Sequence, residues 1–359
     1  MNTSYQIKQW EDIKSEFQDS ILLGNGSSIA IHQDFKYESL FGNAELNSEL
    51  KEIFEYFKTK DFEFILRMLW HSYNINQSLK IQESKTESTY QKLRENLIES
   101  VRKVHIKYTQ QLEPTLKNTA SFLKNFKNVF SLNYDLLIYW SIIYGNKKLL
   151  PEEVHFKDCF LNRQHKCDWD FMRKNKNSNN GNSDATLVFY LHGNLVLATD
   201  LYGQEVKLDT KDPADDANVL IDLVVEKWES GNYLPLFVSE GTSEQKIKSI
   251  NRSPYLKNVY EKALKDLGKT LVIYGWSMGE QDEHILKEIC SNRKLKKIAI
   301  SVRKTDNETE NNEKMEKFKT IIEYQCKKIN QNLASNKKPQ VPVPELKFFD
   351  SASPKCWIY

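Results

Sequence analysis

The chain has 359 residues, of which 40% are hydrophobic and 28% charged, with only 12 glycines and 9 prolines. This composition excludes collagen, a disordered polyampholyte and a low-complexity linker, and the length predicts one large decorated domain or two smaller ones. The 51 Lys and Arg residues nearly balance the 49 Asp and Glu residues, for a formal charge of +2. That balance does not indicate a nucleic-acid or membrane-surface protein.

Short apolar runs rich in β-branched residues alternate with long amphipathic stretches, a pattern typical of α/β proteins. Most of these runs look buried on both faces, as parallel strands are. The predicted strands are Ile21–Leu23, Val129–Leu132, Thr186–Leu191, Leu234–Val238, Leu271–Tyr274, Lys297–Val302 and Leu346–Phe349. The sequence therefore predicts an α/β fold with a Rossmann-like parallel sheet.

A long helical pattern separates the first two predicted strands. From Leu46 to Ala120, apolar residues recur at three-and-four spacing, as at Ile53, Phe54 and Phe57. This is too long for a simple crossover, so we expect an inserted or appended helical subdomain. Two polar segments, 173–184 and 305–313, are predicted to be loops.

The N-terminal segment is polar, and the longest apolar stretch, around 136–143, is too short to span a bilayer. The five cysteines are few and scattered: Cys159, Cys167, Cys290, Cys326 and Cys356. They form no disulfide framework, and we expect reduced thiols. These features together predict a cytoplasmic protein with no membrane partner.

A glycine turn, Gly24-Asn25-Gly26-Ser27-Ser28, follows the first predicted strand. Backbone amides freed at such a turn can hold a pyrophosphate. The dinucleotide fingerprint needs a third glycine where Ile29 stands, which disfavours a conventional dehydrogenase, and most isolated turns of this kind are structural.

Polar residues also follow the second and third predicted strands: Asn133 and Asp135 after one, and His192 after the other. Ligands of doubly wound sheets bind at the carboxyl ends of the strands, which favours a site here. The alternative is that Asn133 and Asp135 cap the helix predicted over 136–144 and that His192 is a core histidine with satisfied hydrogen bonds. The residues alone leave both interpretations open.

The segment Gly275-Trp276-Ser277-Met278-Gly279 follows another predicted strand and matches the nucleophile elbow of α/β hydrolases, with Ser277 as nucleophile. That fold needs an acid and then a histidine downstream of the serine. The only later histidine is His284, seven residues on and poorly placed. We expect Asp282 and His284 to cap a helix or line the same cleft instead.

A metal site is the remaining candidate, because His155, Cys159, His165 and Cys167 lie within thirteen residues. Structural zinc sites usually bring paired cysteines at short spacing, and no cysteine pair here has it. No metal is expected. The basic run 293–297 is predicted to be a solvated helix end, so no direct nucleic-acid contact is expected either.

The order of these motifs is specific: Gly24-Asn25-Gly26-Ser27-Ser28, then Asn133-Tyr134-Asp135, then His192-Gly193, then Gly275-Trp276-Ser277. It resembles the sirtuin (SIR2-like) superfamily. More closely, LLGNGSSIA, SLNYD, LHGN, the SPYL stretch at 253–256 and YGWSMGEQDEHI look like a bacterial sirtuin-like branch classed as a domain of unknown function, the DUF4917-like branch. That branch is related to the NAD-degrading effectors of anti-phage systems. The helical stretch 46–120 is not explained by sirtuin motifs.

The resemblance implies roles for each matched position. Asn133 would orient the nicotinamide ribose or the attacking water, Asp135 would hold the nicotinamide amide, and His192 would be the general base, since a neutral imidazole accepts a proton near neutral pH. The implied cofactor-binding residues, at the pyrophosphate and the adenosine ribose, are Gly24, Asn25, Gly26, Ser28, Gly275, Ser277 and Asp282.

The chain departs from deacylating sirtuins at three points. Leu132 stands where they carry glutamine, the paired zinc cysteines are missing, and Asp34-Phe35-Lys36 only loosely echoes their P-D-F-R element. These departures argue against protein deacylation. A site that binds NAD without acyl-lysine machinery would pass the ribosyl group to water, so the resemblance implies an NAD hydrolase that releases nicotinamide and ADP-ribose.

The resemblance also implies a setting: anti-phage defence, with a homo-oligomer or a regulatory subunit, either a HerA-like ATPase or a nucleotide-sensing protein. Two other functions stay open, a serine esterase using Ser277 and a non-catalytic nucleotide-binding subunit. The expected domains are 1–45, the start of the NAD-binding domain; 46–124, the helical insertion; 125–305, the remainder, irregular near 150–184; and 306–359, a C-terminal helix and closing strand.

Overall fold

The computed structural model describes residues 5–36, 40–149, 156–174, 185–208, 216–238 and 241–359. In chain order, the strands of these residues are β1 (Ile7–Lys8), β2 (Ser20–Leu23), β3 (Asn128–Ser131), β4 (Phe156–Lys157), β5 (Phe160–Leu161), β6 (Gln164–His165), β7 (Thr186–Tyr190), β8 (Gly193–Asp200), β9 (Glu205–Lys207), β10 (Tyr233–Phe237), β11 (Thr270–Tyr274), β12 (Lys297–Val302) and β13 (Glu345–Asp350).

The α-helices are, in chain order, α1 (Trp10–Ile13), α2 (Asn25–Ile31), α3 (Leu40–Asn43), α4 (Ser48–Tyr56), α5 (Phe62–Ser78), α6 (Lys85–Val104), α7 (Glu113–Leu123), α8 (Leu137–Lys148), α9 (Trp169–Lys174), α10 (Asp216–Glu229), α11 (Ser243–Arg252), α12 (Pro254–Asn258), α13 (Glu283–Cys290) and α14 (Glu308–Ser335). A π-helical turn, Val259–Ala263, continues α12. No described helix is both long and apolar enough to cross a membrane.

Eight strands form one parallel sheet in the order β1-β13-β12-β11-β2-β3-β7-β4. The central strand β2 is completely buried, as its apolar sequence predicts for a strand covered on both faces. From β2 the chain adds β3 and β7 on one side, and later β11, β12 and β13 on the other. The strand order therefore reverses beside β2, and such a reversal opens a crevice at the carboxyl ends of the strands. This confirms the predicted Rossmann-like α/β fold with additional helices.

The register aligns the carboxyl ends of the central strands. Leu23 of β2 pairs with Ser131 of β3 and with Tyr274 of β11, and Ser131 also pairs with Tyr190 of β7. The segments that follow these four strands therefore emerge side by side at one edge of the sheet. Those segments carry the predicted motifs.

A second, antiparallel sheet in the order β10-β8-β9-β6-β5 was not predicted. The strand expected at Leu234–Val238 exists as β10, but it belongs to this sheet and pairs antiparallel with β8. Residues 195–198 of β8 are all buried, so their apolar run has no alternation that would distinguish a two-sided antiparallel strand from a parallel one.

The predicted helical stretch is confirmed as helices α4 to α7. Polar side chains begin two of them: Asn47 accepts a hydrogen bond from the Leu50 amide (2.9 Å), and Asp61 accepts one from the Phe64 amide (3.0 Å). In α6, Leu93, Leu97 and Val101 recur every four residues and are buried against the core. We call α4 to α7 the helical insertion.

The helical insertion is attached to α11. Gln245 donates a hydrogen bond to the Lys58 carbonyl, and Ser249 donates one to the Asp61 carboxylate. The guanidinium of Arg252 lies 4.1 Å from the centre of the Phe64 ring. The insertion is thus fixed to the helix that borders the crevice of the sheet.

The prediction of a loop at 305–313 is correct only for its first residues. Of segment 305–313, residues from Glu308 onward belong to α14, whose first turn is capped by Asn307, which accepts a hydrogen bond from the Glu310 amide (3.2 Å). The polar composition of this first turn hid the periodicity, which becomes clear only from Met315 onward. Of segment 173–184, the first two residues end α9, and 175–184 lie outside the described residues, as does His155 of the metal alternative.

His105 joins the end of α6 to the start of α8. Its Nε2 accepts a hydrogen bond from the Leu136 amide (2.9 Å), and its Nδ1 donates one to the Ile106 carbonyl (2.7 Å). This pair of contacts requires the neutral imidazole, because protonated Nε2 would oppose the amide hydrogen of Leu136. Burial lowers the pKa of His105 to about 4.

Acid should therefore weaken the fold through His105. Between its unfolded pKa of about 6.5 and its folded pKa of about 4, the unfolded chain binds more protons, so the free energy of unfolding falls as the pH falls through this window. From about pH 7 to about pH 5 we expect the wild type to lose about 2 kcal/mol more than His105→Gln, whose amide does not titrate. Urea unfolding of both proteins at the two pH values measures this difference, and equal losses would contradict the assignment.

Candidate functional site

Two loops at the carboxyl edge of the sheet approach each other through glycines. The Gly26 amide donates to the Gly275 carbonyl (2.7 Å), and the Gly24 amide donates to the Tyr274 carbonyl (3.0 Å). A Cβ on Gly24 would lie 2.6 Å from the Cα of Trp276, and one on Gly26 would lie 2.8 Å from the Cα of Gly275. These glycines are needed for close backbone contact, and the Gly26 amide is already used by Gly275.

Asn133 connects this contact to the next strand. Its Nδ2 donates to the Gly24 carbonyl (3.1 Å), to Ser27 Oγ (3.0 Å) and to Ser28 Oγ (2.8 Å). None of the described residues donates to its Oδ1, and Asn133 lines a cavity. The carbonyl oxygen of this amide is therefore the group that can face a ligand.

Asp135 lies behind Asn133 in the same network. Ser28 Oγ donates to Asp135 Oδ2 (2.5 Å), and the Leu137 amide donates to Oδ1 (2.9 Å) at the start of α8. Burial raises the pKa of Asp135 to about 6, although both hydrogen bonds act in the opposite direction. Asp135 thus accepts a hydrogen bond from the first residue of α8, although the N-cap position itself is Leu136, and it also lines the cavity.

His192 meets a second histidine. Its Nε2 lies 3.2 Å from the Nε2 of His284, and both rings are almost completely buried. The Nδ1 of His284 lies 3.1 Å from Ser243 Oγ, and this oxygen also accepts a hydrogen bond from the His284 amide (2.9 Å). Burial, with the nearby Lys246 ammonium, holds the pKa of His192 well below its ordinary value, so the ring is neutral at neutral pH.

Asp282 borders the histidine pair. Its carboxylate accepts hydrogen bonds from Lys246 Nζ (2.8 Å) and from the Trp276 indole (3.3 Å), and it lies 4.0 Å from His192 Nε2. Burial favours a higher pKa for Asp282, but the interactions with His192 and with the Lys246 ammonium outweigh it and lower the pKa. Asp282 is therefore a carboxylate paired with Lys246.

His192, Asp282 and His284 lie close enough to supply three ligands to one metal ion. The Lys246 ammonium is already in contact with Asp282, and a cation there would have to displace it. The donor set thus matches an ammonium-paired polar cluster better than a metal centre, and the expectation of no metal stays a prediction.

Asn133, Asp135, His192 and Asp282 border a cavity of about 1560 Å³. Ligand pockets of about 300 to 1,000 Å³ are usual, so this one is large enough for a dinucleotide. One wall comes from the two glycine loops and the strand ends, and the opposite wall comes from the helical insertion and α11. The insertion contributes Phe54, Glu55 and three lysines: Lys51, Lys58 and Lys60.

The structure brings nine of the ten predicted site residues to this cavity. The catalytic candidates Asn133, Asp135 and His192 line it, and so do the binding candidates Gly24, Asn25, Gly26, Gly275, Ser277 and Asp282. Ser28 is behind the wall, where its hydroxyl joins Asp135 to Asn133.

Sequence reasoning missed the contribution of Ser243 and Lys246 and placed His284 poorly for catalysis. The sequence does contain a pattern that could have located Ser243 and Lys246. Thr242 and Gln245 form a capping box, which marks the start of a helix and places Ser243 in its first turn. The contact of His284 with His192 spans 92 residues, so no local pattern reveals it.

The esterase alternative finds little geometric support. Ser277 is exposed, lies in an irregular segment before a short 3₁₀ turn, and no described residue forms a hydrogen bond with it. The strained left-handed residue of this loop is Met278 (φ 54°), whereas a nucleophile elbow places the strain at the serine. The only histidine downstream, His284, contacts Ser243 instead.

The fold and cleft define an α/β protein with a large cavity at the carboxyl edge of a parallel sheet, beside the reversal of strand order. Within that class, the chain belongs to the family described as domain of unknown function DUF4917, which matches residues 21–357. No curated protein matches the chain.

Proposed function

We propose that this protein is an NAD hydrolase that cleaves NAD to nicotinamide and ADP-ribose. The observation that supports it most is the convergence of Asn133, Asp135 and His192, with both glycine loops, on one dinucleotide-sized cavity. The motif order that resembles sirtuins supports the choice of NAD. The setting would be anti-phage defence, as that resemblance implies.

The residues present fit the parts of NAD. Three lysines against one glutamate give the insertion's share of the wall a net positive charge, suited to a pyrophosphate. The Gly26 amide and the Ser28 hydroxyl are already used within the protein, so we assign the pyrophosphate to Lys51, Lys58 and Lys60 more than to the glycine turn. Gly275 and Ser277 would border the adenosine ribose.

Nicotinamide is a good leaving group, and its departure leaves an oxocarbenium-like ribose that water attacks. The Oδ1 of Asn133 can accept a hydrogen bond from a ribose hydroxyl or from that water, which orients the reacting atoms. The neutral imidazole of His192 can take up the proton that water loses. An amide cannot act as a base at neutral pH. Asn133 therefore orients the reacting atoms, and His192 accepts the proton.

The direct test is to incubate the purified full chain with NAD and to quantify nicotinamide and ADP-ribose by chromatography. We expect both products in equal amounts. Binding of NAD without products, before and after addition of host-cell extract as a source of a partner, would support the non-catalytic nucleotide-binding alternative. The absence of both binding and products under these conditions would overturn the proposal. Covalent labelling of Ser277 by a fluorophosphonate probe, without nicotinamide release, would support the esterase.

Control by a partner belongs to the same proposal, because an unrestrained NAD hydrolase would deplete its own host. The partner would be a second copy or a regulatory subunit, a HerA-like ATPase or a nucleotide-sensing protein. The helical insertion exposes Tyr56, Ile75 and Leu79, which gives it apolar surface for such a contact. A hydrolysis rate of the isolated chain that neither protein concentration nor host-cell extract changes would contradict this.

A further inference from the structure

We propose that Ser243, His284 and His192 form a proton relay, so that the base of the reaction is the histidine pair reached through Ser243 and not His192 alone. This inference rests on the proposed NAD hydrolysis and adds two residues to its machinery. It is carried by two contacts: Ser243 Oγ to His284 Nδ1 (3.1 Å) and His284 Nε2 to His192 Nε2 (3.2 Å).

The hydrogen positions follow from these contacts. The Leu132 backbone favours a proton on the His192 ring, and we assign this proton to Nδ1 because Nε2 faces His284. A neutral imidazole has one N–H, so Nε2 of His192 is an acceptor and His284 donates from its own Nε2. The Nδ1 of His284 is then an acceptor as well, and the Ser243 hydroxyl donates to it.

Ser243 can hold this orientation because its other contact is an acceptor role, filled by the His284 amide (2.9 Å). The capping box of Thr242 and Gln245 fixes the first turn of α11, where Ser243 stands. This arrangement of protons satisfies every contact from Ser243 to His192. Buried networks with all members satisfied are rigid and favour a single arrangement.

This arrangement of hydrogen bonds determines which residue can accept the proton of the attacking water. The Nε2 lone pair of His192 already accepts from His284, so His192 cannot take a proton directly from the cavity without losing that bond. Ser243 lines the cavity and is half-buried, whereas His284 is behind it. The Ser243 hydroxyl is therefore the member of the chain that can meet the attacking water.

The water oxygen bonds to C1′ of the nicotinamide ribose while the C1′–N1 bond breaks, and nicotinamide leaves with the bonding electron pair. The proton that water loses passes to Ser243 Oγ, the Ser243 proton passes to His284 Nδ1, and the Nε2 proton of His284 passes to His192 Nε2. His192 is then an imidazolium, which releases the proton to solvent after the products leave.

The charges around the histidine pair allow it to bind a proton and then to release it. Asp282, 4.0 Å from His192 Nε2, stabilises the imidazolium, while the Lys246 ammonium on α11 opposes it and favours the return of the proton. The other groups facing the pair are the Leu132 backbone and the Tyr260 hydroxyl, which donates to the His284 carbonyl (3.1 Å). Burial holds the pKa of His284 at about 4, so it too starts neutral.

The experiment has two parts. Imidazole ¹⁵N NMR of the full chain at neutral pH should show His192 as the Nδ1–H tautomer and His284 as the Nε2–H tautomer. In steady-state NAD hydrolysis, Ser243→Ala should lower kcat at least about tenfold with KM little changed, and Ser243→Thr, which keeps the hydroxyl, should recover most of it. Tyr260→Phe is the matched control: it removes a hydrogen bond to His284 outside the relay, and its kcat should stay near the wild type.

The opposite tautomers, or a folded Ser243→Ala with the kcat of Tyr260→Phe, would overturn the relay. A wild type that releases no nicotinamide would overturn the proposed function, and the NMR spectrum then decides the relay by itself, because tautomers need no substrate. The two failures are therefore distinguishable.

Discussion

Asn133→Ala and His192→Ala should each lower the turnover of NAD at least about a hundredfold, the usual scale for losing a positioning group or a proton acceptor. For Asn133 the loss should fall on kcat, since Asn133 lines the cavity and its Oδ1 accepts no hydrogen bond from the described residues. For His192 the loss of turnover follows because this residue is the last proton acceptor of the proposed relay. Initial rates of nicotinamide release at saturating NAD measure both.

The matched control for Asn133 is Asn146→Ala. Asn146 is likewise a hydrogen-bonded asparagine, donating to the Phe156 carbonyl (2.9 Å) and accepting from the Phe156 amide (2.8 Å), but it does not line the cavity. Its loss should leave the rate unchanged. Circular dichroism melts of all variants separate unfolding from loss of chemistry, and folded Asn133→Ala and His192→Ala proteins with wild-type turnover would remove both residues from the mechanism.

Gly275→Ala should prevent folding or lower the free energy of unfolding by at least about 4 kcal/mol, a size reserved for severe steric conflicts. Gly275 has φ 68°, and a Cβ there would lie 2.3 Å from the Ser27 amide nitrogen and 2.6 Å from the Gly26 carbonyl carbon. These are backbone atoms of the facing loop, held by the hydrogen bond from Gly26 to Gly275, so they cannot move aside cheaply.

Gly203→Ala separates this conflict from the cost of a left-handed backbone. Gly203 has φ 79°, but a Cβ there meets no atom within 4 Å. We expect it to cost only about 1 to 2 kcal/mol, the penalty of the left-handed conformation. Urea unfolding of the two variants gives the comparison, and equal destabilisation would show that the close approach of the two loops contributes nothing.

The sequence by itself determined the central strands and the edge at which the site forms. Strands such as β2, β11 and β12 are short, apolar and followed by glycine or polar residues, and parallel strands bring their carboxyl ends to one side whatever their order. Gly24, Asn133, His192 and Gly275 could therefore be placed together before any contact was known. The helical insertion was also predictable, because its apolar spacing is local.

Tertiary structure alone decided the partners of these residues. The second sheet was missed because residues 195–198 are buried on both faces and show no alternation. His284 was judged poorly placed from its distance along the chain to Ser277, yet its partners are His192, 92 residues away, and Ser243, 41 residues away. Ser28 belongs to the glycine turn and was predicted to bind the cofactor, but its hydroxyl donates a hydrogen bond to Asp135. Local patterns report propensity and burial, whereas such contacts depend on how α11 and α13 pack beside the sheet, which no local pattern encodes.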